Sequence, residues 1–168
     1  FTIQGSANTS YSHHETLLAW TGMLSKAPSD KILICQPNDN IAAFMGELSA
    51  EYLLKKNIRG YIADGGCRDV EFINNINFPV WSRFNTPKDV VGYWKPDVLE
   101  KQITIGDVII NNNDYVMADI DGVVIIPEKN ILDILEKSEL LINTESKVRK
   151  SIREGMDPQE AYIKYSAF

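Results

Sequence analysis

The chain has 168 residues, enough for one sizeable core and too few for two comfortable domains, so we expect a single compact domain over 1–168. Hydrophobic residues make up 44% and charged residues 24%, a globular composition that excludes a long disordered region. The net charge is −6 with scattered basic residues, which argues against binding to nucleic acid or to an anionic membrane.

The cysteines and the apolar runs indicate the compartment. Cys35 and Cys67 lie far apart without metal-ligand spacing, so we expect two reduced thiols in a cytoplasmic protein. No apolar run approaches the length of a membrane span. The chain opens at Phe1 on strand-like sequence, and its start lacks the features of a signal peptide.

Strands and helices alternate in the first half of the chain. In order, the pattern predicts a helix over 13–24, a strand over 31–36, a helix over 41–56, a strand over 58–63, a turn over 64–69, a short helix over 70–75 and a strand over 78–84. This alternation indicates an α/β fold whose functional loops gather at the carboxyl ends of the strands. Residues 64–69 occupy such a place.

The second half changes character. Residues 85–98 are rich in proline and predict a loop, and 102–127 contain short β runs typical of hairpins. An apolar stripe from Glu128 onward predicts a helix that Thr144 breaks in two and that Gly155 caps. A last short helix is expected over 158–165.

Arg68 and Asp69, in the stretch "GYIADGGCRDVE", allow two interpretations. In the first, Asp69 caps the following helix and Arg68 is solvated. In the second, Gly65 and Gly66 let the chain turn sharply and let a ligand approach. A guanidinium then binds a carboxylate while the neighbouring carboxylate holds a divalent cation.

Gly46 and Glu47 lie inside the predicted helix over 41–56, where an internal glycine costs roughly 1 kcal/mol relative to alanine. One explanation is close helix packing with an exposed Glu47. The other is that the helix begins near Gly46 and offers its free amides to an anion.

Other polar groups are assigned structural roles. Adjacent histidines point in different directions on a helix, so His13 and His14 are expected on the polar surface. Asp119 and Asp121 are expected in a β-turn in which Gly122 takes a positive φ.

Four blocks in order, "MGEL", "GYIADGGCRDVE", "ADIDGVVIIP" and "ESKVRKSIREG", resemble the signature blocks of the RraA-like family. This family includes class II 4-hydroxy-4-methyl-2-oxoglutarate/4-carboxy-4-hydroxy-2-oxoadipate aldolases and the regulators of ribonuclease E activity. The resemblance implies a swivelling β/β/α fold and ring-shaped homotrimers with active sites between subunits. It also implies that the family's N-terminal helical segment is absent here.

The resemblance implies a site around Asp69, which coordinates Mg²⁺ or Mn²⁺. Arg68 binds the pyruvyl part of a small 2-oxo acid substrate. The main-chain amides of Gly46, Glu47 and Leu48 receive the substrate carboxylate.

Two glutamates complete the implied site. Glu47 faces the water shell of the metal, and Glu145 comes from the neighbouring subunit, although an ion pair with Arg149 is an equally natural role for Glu145. Phe72 departs from the pattern because the aldolases have an acid there. The nearest acid, Glu71, lies one residue earlier and receives no firm role.

The implied activity is that of a metal-dependent (class II) aldolase that cleaves a 4-hydroxy-2-oxo acid to pyruvate, with oxaloacetate decarboxylation as a side activity. No lysine lies in the motif blocks around the implied metal, so the cation rather than a Schiff base would withdraw electrons. The alternative is a non-catalytic regulator that binds a ribonuclease or another protein. The presence of both Glu47 and Glu145 favours the enzyme.

Overall fold

A five-stranded sheet forms the centre of residues 1–125. The computed structural model describes residues 1–168, which divide into two units, 1–125 and 126–168. The strands of the sheet are β1 (Thr2–Ala7), β2 (Ile32–Gln36), β3 (Gly60–Cys67), β4 (Val80–Asn85) and β5 (Trp94–Leu99). They lie in the order β4-β3-β2-β1-β5, with β1 to β4 parallel and β5 antiparallel to β1.

Three helices make the connections between the parallel strands, as expected when parallel strands pair. They are α1 (His13–Lys26), α2 (Glu47–Lys55) and α3 (Val70–Asn75). Ser12 and Glu15 form a capping box at the start of α1, where each side chain accepts a hydrogen bond from the other residue's amide. The predicted strand–helix alternation is confirmed.

The sheet is buried on both faces. Leu33, Cys35 and Tyr61 belong to a large core cluster on one face, whereas Ile34 and Ile62 belong to a second cluster on the other. This division follows from the period of two along a strand, which sends successive side chains to opposite faces.

The prediction of a loop over 85–98 is wrong in its second half, because Trp94 to Leu99 form β5. Trp94 is fully buried, its ring packs edge-on against Phe44 at 5.0 Å, and its indole N–H donates to the Pro37 carbonyl at 2.8 Å. Pro96 is compatible with a strand here because β5 is the edge of the sheet.

Two small hairpin sheets follow, as predicted. The first pairs β6 (Ile103–Ile105) with β7 (Val108–Ile110), and the second pairs β8 (Tyr115–Ala118) with β9 (Val123–Ile126). Gly122 has a φ of +149°, and Asp119 accepts from the Asp121 amide at 2.8 Å. The turn role of these residues is therefore confirmed.

The second unit is helical. A 3₁₀ turn (Glu128–Asn130) precedes α4 (Ile131–Arg153), and α5 is Pro158–Tyr165. The predicted break at Thr144 is wrong, because its hydroxyl donates to the Leu140 carbonyl at 3.0 Å and leaves the helix continuous. Gly155 follows the end of α4 with a φ of +97°, as expected for a helix terminator.

None of the helices combines the length and apolar composition that a membrane span requires. The prediction that residues 1–168 form one domain stays a prediction.

Candidate active site

Asp69 lies between β3 and α3 in a left-handed conformation, with a φ of 56°. It occupies the N-cap position of α3, yet its side chain makes no capping hydrogen bond. Instead, Asp69 Oδ2 accepts a hydrogen bond from the amide of Glu47 at 3.0 Å. The interpretation of Asp69 as a helix cap is therefore wrong, and its carboxylate faces the start of α2.

Gly46 marks the start of α2, so the predicted helix over 41–56 was too long at its N-terminal end. The chain is extended at Gly46, with a φ of −149°, and Glu47 is the first helical residue. A Cβ on Gly46 would lie 2.8 Å from Arg68 Nε and 2.9 Å from Asp69 Oδ2. The glycine thus lets the backbone of α2 approach both side chains, and the first-turn amides have no carbonyl of their own helix to receive them.

Arg68 lies between two carboxylates. Its Nη1 donates to Asp89 Oδ2 at 2.7 Å, and its Nε is 3.5 Å from Asp69 Oδ2. Arg68 and Asp69 therefore are an ion pair as well as neighbours of α2. Each of the three side chains is about 40% exposed, so a ligand can reach the cluster from solvent.

Asp89 is a site residue that the sequence analysis missed. Its Oδ1 accepts from the amides of Val90 and Val91 at 2.6 and 3.2 Å, while Oδ2 receives Arg68. An aspartate that precedes apolar residues after a Thr-Pro turn is a recognisable signal for such a local turn. Its contact with Arg68 has no signal in the sequence.

Gly65 and Gly66 have a different role from the one predicted. Both lie within β3, in a strand rather than a turn, where the register to β4 shifts. A Cβ on Gly65 would lie 2.5 Å from the Phe44 ring, and one on Gly66 would lie 2.7 Å from the Ala42 carbonyl oxygen. The space next to these glycines is therefore filled by the chain preceding Gly46 rather than by a ligand.

A cavity of about 390 Å³ opens beside Arg68 and Asp89. Gly46 and Leu48 also line it, so three of the predicted site residues meet at one end. Its other walls come from α1 and α2 and from Val90 and Val91. The volume falls in the range of small-molecule sites, and no lysine lines the cavity.

The donor set around Asp69 suits one kind of metal site. Asp69 Oδ1 makes no hydrogen bond within the chain, and no cluster of three or more His, Cys, Asp or Glu side chains could hold an ion. Mg²⁺ commonly binds through one or two carboxylates and keeps several waters. The residues therefore fit a hydrated Mg²⁺ or Mn²⁺ on Asp69 and do not fit a cation held by protein donors alone.

The charge of the cluster around Arg68 also favours a bound cation. Asp69 and Asp89 flank Arg68, so these three groups carry a net charge of −1 before Glu47 is counted. An anionic substrate is repelled by this balance unless a cation reverses it.

The remaining predicted residues are placed as follows. Glu47 is the exposed first residue of α2, and Glu71 is exposed in the first turn of α3. Glu145 lies in α4 of the second unit and forms an ion pair with Arg149. The structural role weighed for Glu145 is thus present, and its catalytic role stays a prediction.

The histidines and cysteines add no chemistry to the site. His13 and His14 are exposed at the start of α1, as predicted. Both cysteines are free thiols and buried. Burial raises the pKa of Cys67 to about 11, with a smaller contribution from the Asp69 charge, and raises the pKa of Cys35 to about 12. Neither thiol forms a thiolate near neutral pH.

The sequence is similar to a family model and to several known proteins. The family model described as RraA-like, Aldolase/RraA, matches residues 2–125. Protein DlpA of Legionella pneumophila is 27% identical over 84% of the chain, which spans 23% of that protein. A protein of Halalkalibacterium halodurans named "Putative 4-hydroxy-4-methyl-2-oxoglutarate aldolase" is 24% identical over 89% of the chain and 70% of its own length.

A solved structure shows the same fold. The Streptomyces coelicolor protein RraAS2, described as an unusual member of the RNase ES inhibitor RraA protein family, superposes with a TM-score of 0.75. It is 22% identical, and the match covers 88% of this chain and 73% of RraAS2.

Proposed function

Because the chain belongs to the RraA-like family and has its α/β fold, we propose that it is a divalent-metal-dependent lyase that cleaves a 4-hydroxy-2-oxo acid to pyruvate. The observation that supports this proposal is the contact between two motif blocks. The Glu47 amide and Asp69 Oδ2 lie 3.0 Å apart, with Arg68 Nε 3.5 Å from the same oxygen. The similarity to the protein named as an aldolase agrees with it.

Arg68 and the first turn of α2 orient the substrate in this proposal. Arg68 Nη2 has no hydrogen bond within the chain and is free to bind an oxygen of the 2-oxo acid. The Glu47 amide is taken by Asp69 Oδ2, so of the three amides expected to bind the substrate carboxylate those of Gly46 and Leu48 remain for it, at the positive end of the helix dipole. A Mg²⁺ or Mn²⁺ ion on Asp69 would supply Lewis-acid polarisation of the 2-oxo group.

Bond cleavage requires a base. Glu47, or Glu145 of a neighbouring subunit, removes the proton of the C4 hydroxyl through a water molecule. The C3–C4 bond then breaks, its electron pair passes into the pyruvate enolate, and C4 leaves as a carbonyl group. Arg68 offsets the negative charge of the enolate, which then takes a proton at C3. Decarboxylation of oxaloacetate passes through the same enolate and is the proposed side activity.

We also propose that the chain assembles as a homotrimer with its sites at subunit interfaces. This arrangement gives Glu145 a role that its pairing with Arg149 does not preclude, because an exposed i,i+4 ion pair contributes only about 0.3–0.5 kcal/mol.

The test is a pyruvate-release assay over a panel of 4-substituted 2-oxo acids, with Mg²⁺, with Mn²⁺ and with EDTA. Release with metal and its loss with EDTA support the proposal. Asp69→Asn keeps an acceptor for the Glu47 amide but removes the charge, so a loss of about 100-fold or more is expected. Asp107→Asn, in the exposed turn between β6 and β7, is the matched control.

A non-catalytic regulator is the second function that we propose to test, because RraAS2 is described as belonging to a family of ribonuclease inhibitors. Stable association with a ribonuclease, together with no pyruvate release and no binding of Mn²⁺, would reverse the ranking of the two functions.

A further inference from the structure

The cavity beside Arg68 has one charged end and otherwise apolar walls. Arg68 and Asp89 are the only acidic or basic residues of the lining, and Tyr52 adds a phenol group to the wall. Trp20, Leu24 and Met45, which are buried, and the partly exposed Leu17 line the remainder. The part of a ligand that extends from Arg68 into this cavity moves from water into mainly apolar surroundings.

Four of the five hydroxyl groups in the cavity wall, all except that of Tyr52, form hydrogen bonds within the protein. Thr16 Oγ1 donates to a backbone carbonyl of α1 at 2.9 Å, and Thr21 and Ser25 donate to the carbonyls four residues earlier at 2.7 and 2.9 Å. Ser49 Oγ accepts the indole N–H of Trp20 at 2.9 Å. Four of the five hydroxyl side chains therefore have part of their hydrogen-bonding capacity occupied, and the Tyr52 hydroxyl, which makes no hydrogen bond within the chain, is the main neutral polar group left for a ligand.

A second carboxylate on the ligand has no cationic partner here. Arg68 is the single cation of the lining, and Asp89 already takes Nη1 at 2.7 Å. A carboxylate placed farther along the cavity meets mainly apolar side chains, neutral hydroxyl groups and the Asp89 charge, so no cation compensates the desolvation of its own charge. An alkyl or aryl group in the same place gains from burial.

We propose that this cavity, which we call the α1–α2 cavity, binds the C4 substituent of the substrate and selects 2-oxo acids with an apolar alkyl or aryl group over dicarboxylic ones. This assignment rests on the proposed function for the identity of the headgroup at Arg68. In the matching reaction, 4-hydroxy-2-oxo-4-phenylbutanoate loses its C3–C4 bond and gives pyruvate and benzaldehyde. The hydroxyl proton leaves through the base, and C3 takes a proton.

Binding measurements on unreactive probes test the cavity separately from catalysis. The probes are 4-phenyl-2-oxobutanoate and 2-oxoglutarate, which lack the C4 hydroxyl, titrated by calorimetry with Mg²⁺ present. We expect the phenyl compound to bind about tenfold or more tightly than 2-oxoglutarate. Tighter binding of 2-oxoglutarate, or no binding of either probe, overturns the assignment.

Two lysine variants on one helix sharpen the test. Leu17→Lys adds a cation to the cavity wall, whereas Leu18→Lys adds the same charge one residue away, outside the cavity, on a side chain that is 64% exposed. We expect Leu17→Lys to lower the preference for the phenyl probe about tenfold and Leu18→Lys to leave it unchanged. Equal effects of the two variants contradict the proposal.

The pyruvate assay distinguishes a failure of the cavity assignment from a failure of the proposed lyase function. Pyruvate release from 4-hydroxy-2-oxoglutarate but not from the phenyl substrate overturns the cavity assignment and keeps the lyase. Tight binding of the phenyl probe without pyruvate release from any substrate overturns the lyase and keeps the apolar cavity.

Discussion

The amide of Glu47 donates to Asp69 Oδ2 at 3.0 Å and joins the first turn of α2 to the junction between β3 and α3. The two residues are 22 positions apart in the chain. One oxygen of Asp69 is thereby fixed, and its other oxygen makes no hydrogen bond within the chain. This geometry holds the Asp69 carboxylate in place for a ligand. As a result, α3 has no side-chain cap at its N-terminus.

Gly46→Ala is predicted to damage the site more than the fold. The added Cβ would lie under 3 Å from both Arg68 Nε and Asp69 Oδ2, while the φ of −149° is open to alanine, so the side chains rather than the backbone must move. We expect pyruvate release to fall about 100-fold, since a displacement of about 1 Å at a site has this effect.

Gly22→Ala is the control for Gly46→Ala. Gly22 lies within α1 and has open space around its Cβ position, so alanine should raise stability by up to about 1 kcal/mol and leave activity unchanged. Thermal melts and steady-state kinetics on both variants check the pair. Equal activity of Gly46→Ala and the wild type would contradict the assignment of the active site to Gly46, Arg68 and Asp69.

Asp89→Asn is predicted to disturb the position of Arg68. The variant keeps an acceptor for the Val90 amide but loses the charge that holds Arg68 Nη1 at 2.7 Å. We expect kcat to fall about 10- to 100-fold with a smaller change in KM, because the guanidinium remains present but loses its orientation.

Asp64→Asn provides the comparison, because it removes a different aspartate–arginine pair, that of Asp64 in β3 with Arg83 in β4 at 3.3 Å. Its kinetics should match those of the wild type. A purely structural role for Asp89 would lower the melting temperature and leave kcat intact.

Tyr93→Phe is predicted to destabilise the protein in a pH-dependent way. The Tyr93 hydroxyl donates to Asp39 Oδ2 at 2.5 Å, and Asp39 Oδ1 accepts the amides of Ile41 and Ala42. Burial acts to raise the pKa of Asp39, but these hydrogen bonds outweigh burial and lower that pKa. The hydrogen bond to Asp39, together with burial, raises the pKa of Tyr93. We expect a loss of about 1–2 kcal/mol near neutral pH.

The sign of each shift sets the pH window. A lowered pKa of Asp39 stabilises the fold above its unfolded value of 3.8, and this contribution is lost as the pH falls through the folded pKa. A raised pKa of Tyr93 stabilises the fold below 10.0, and this contribution is lost as the pH rises through the folded pKa. Urea unfolding should therefore show the largest difference between wild type and variant from about pH 5 to 9. A difference that is constant from pH 3 to 11 would exclude this pairing as the cause.

Mixing two inactive variants tests the shared site. If Asp69 and Glu145 act from neighbouring subunits, Asp69→Asn and Glu145→Gln chains refolded together form some sites with both native residues, and activity returns. We expect recovery of about a quarter of wild-type activity, the statistical share of such sites in an equal mixture. Recovery fails if both residues act within one chain. Arg149→Gln, which removes only the partner of Glu145, should stay active.

The sequence by itself determined the elements and the identity of the motif residues. Local signals are sufficient for these, since the alternation of apolar runs and turns predicted α3, α5 and the strands β2, β3 and β4. The order of four motif blocks placed Gly46, Arg68 and Asp69 together, and the structure brings these three residues into contact.

Only the tertiary structure decided what each of these residues touches. The space at Gly65 and Gly66 is taken by Phe44 and Ala42, Arg68 binds Asp89 from 21 residues away, and residues 94–99 form an edge strand. Such contacts join segments far apart in the chain, and their partners are chosen by the packing of the sheet and the loops beside it. Local sequence propensity therefore does not predict these partners.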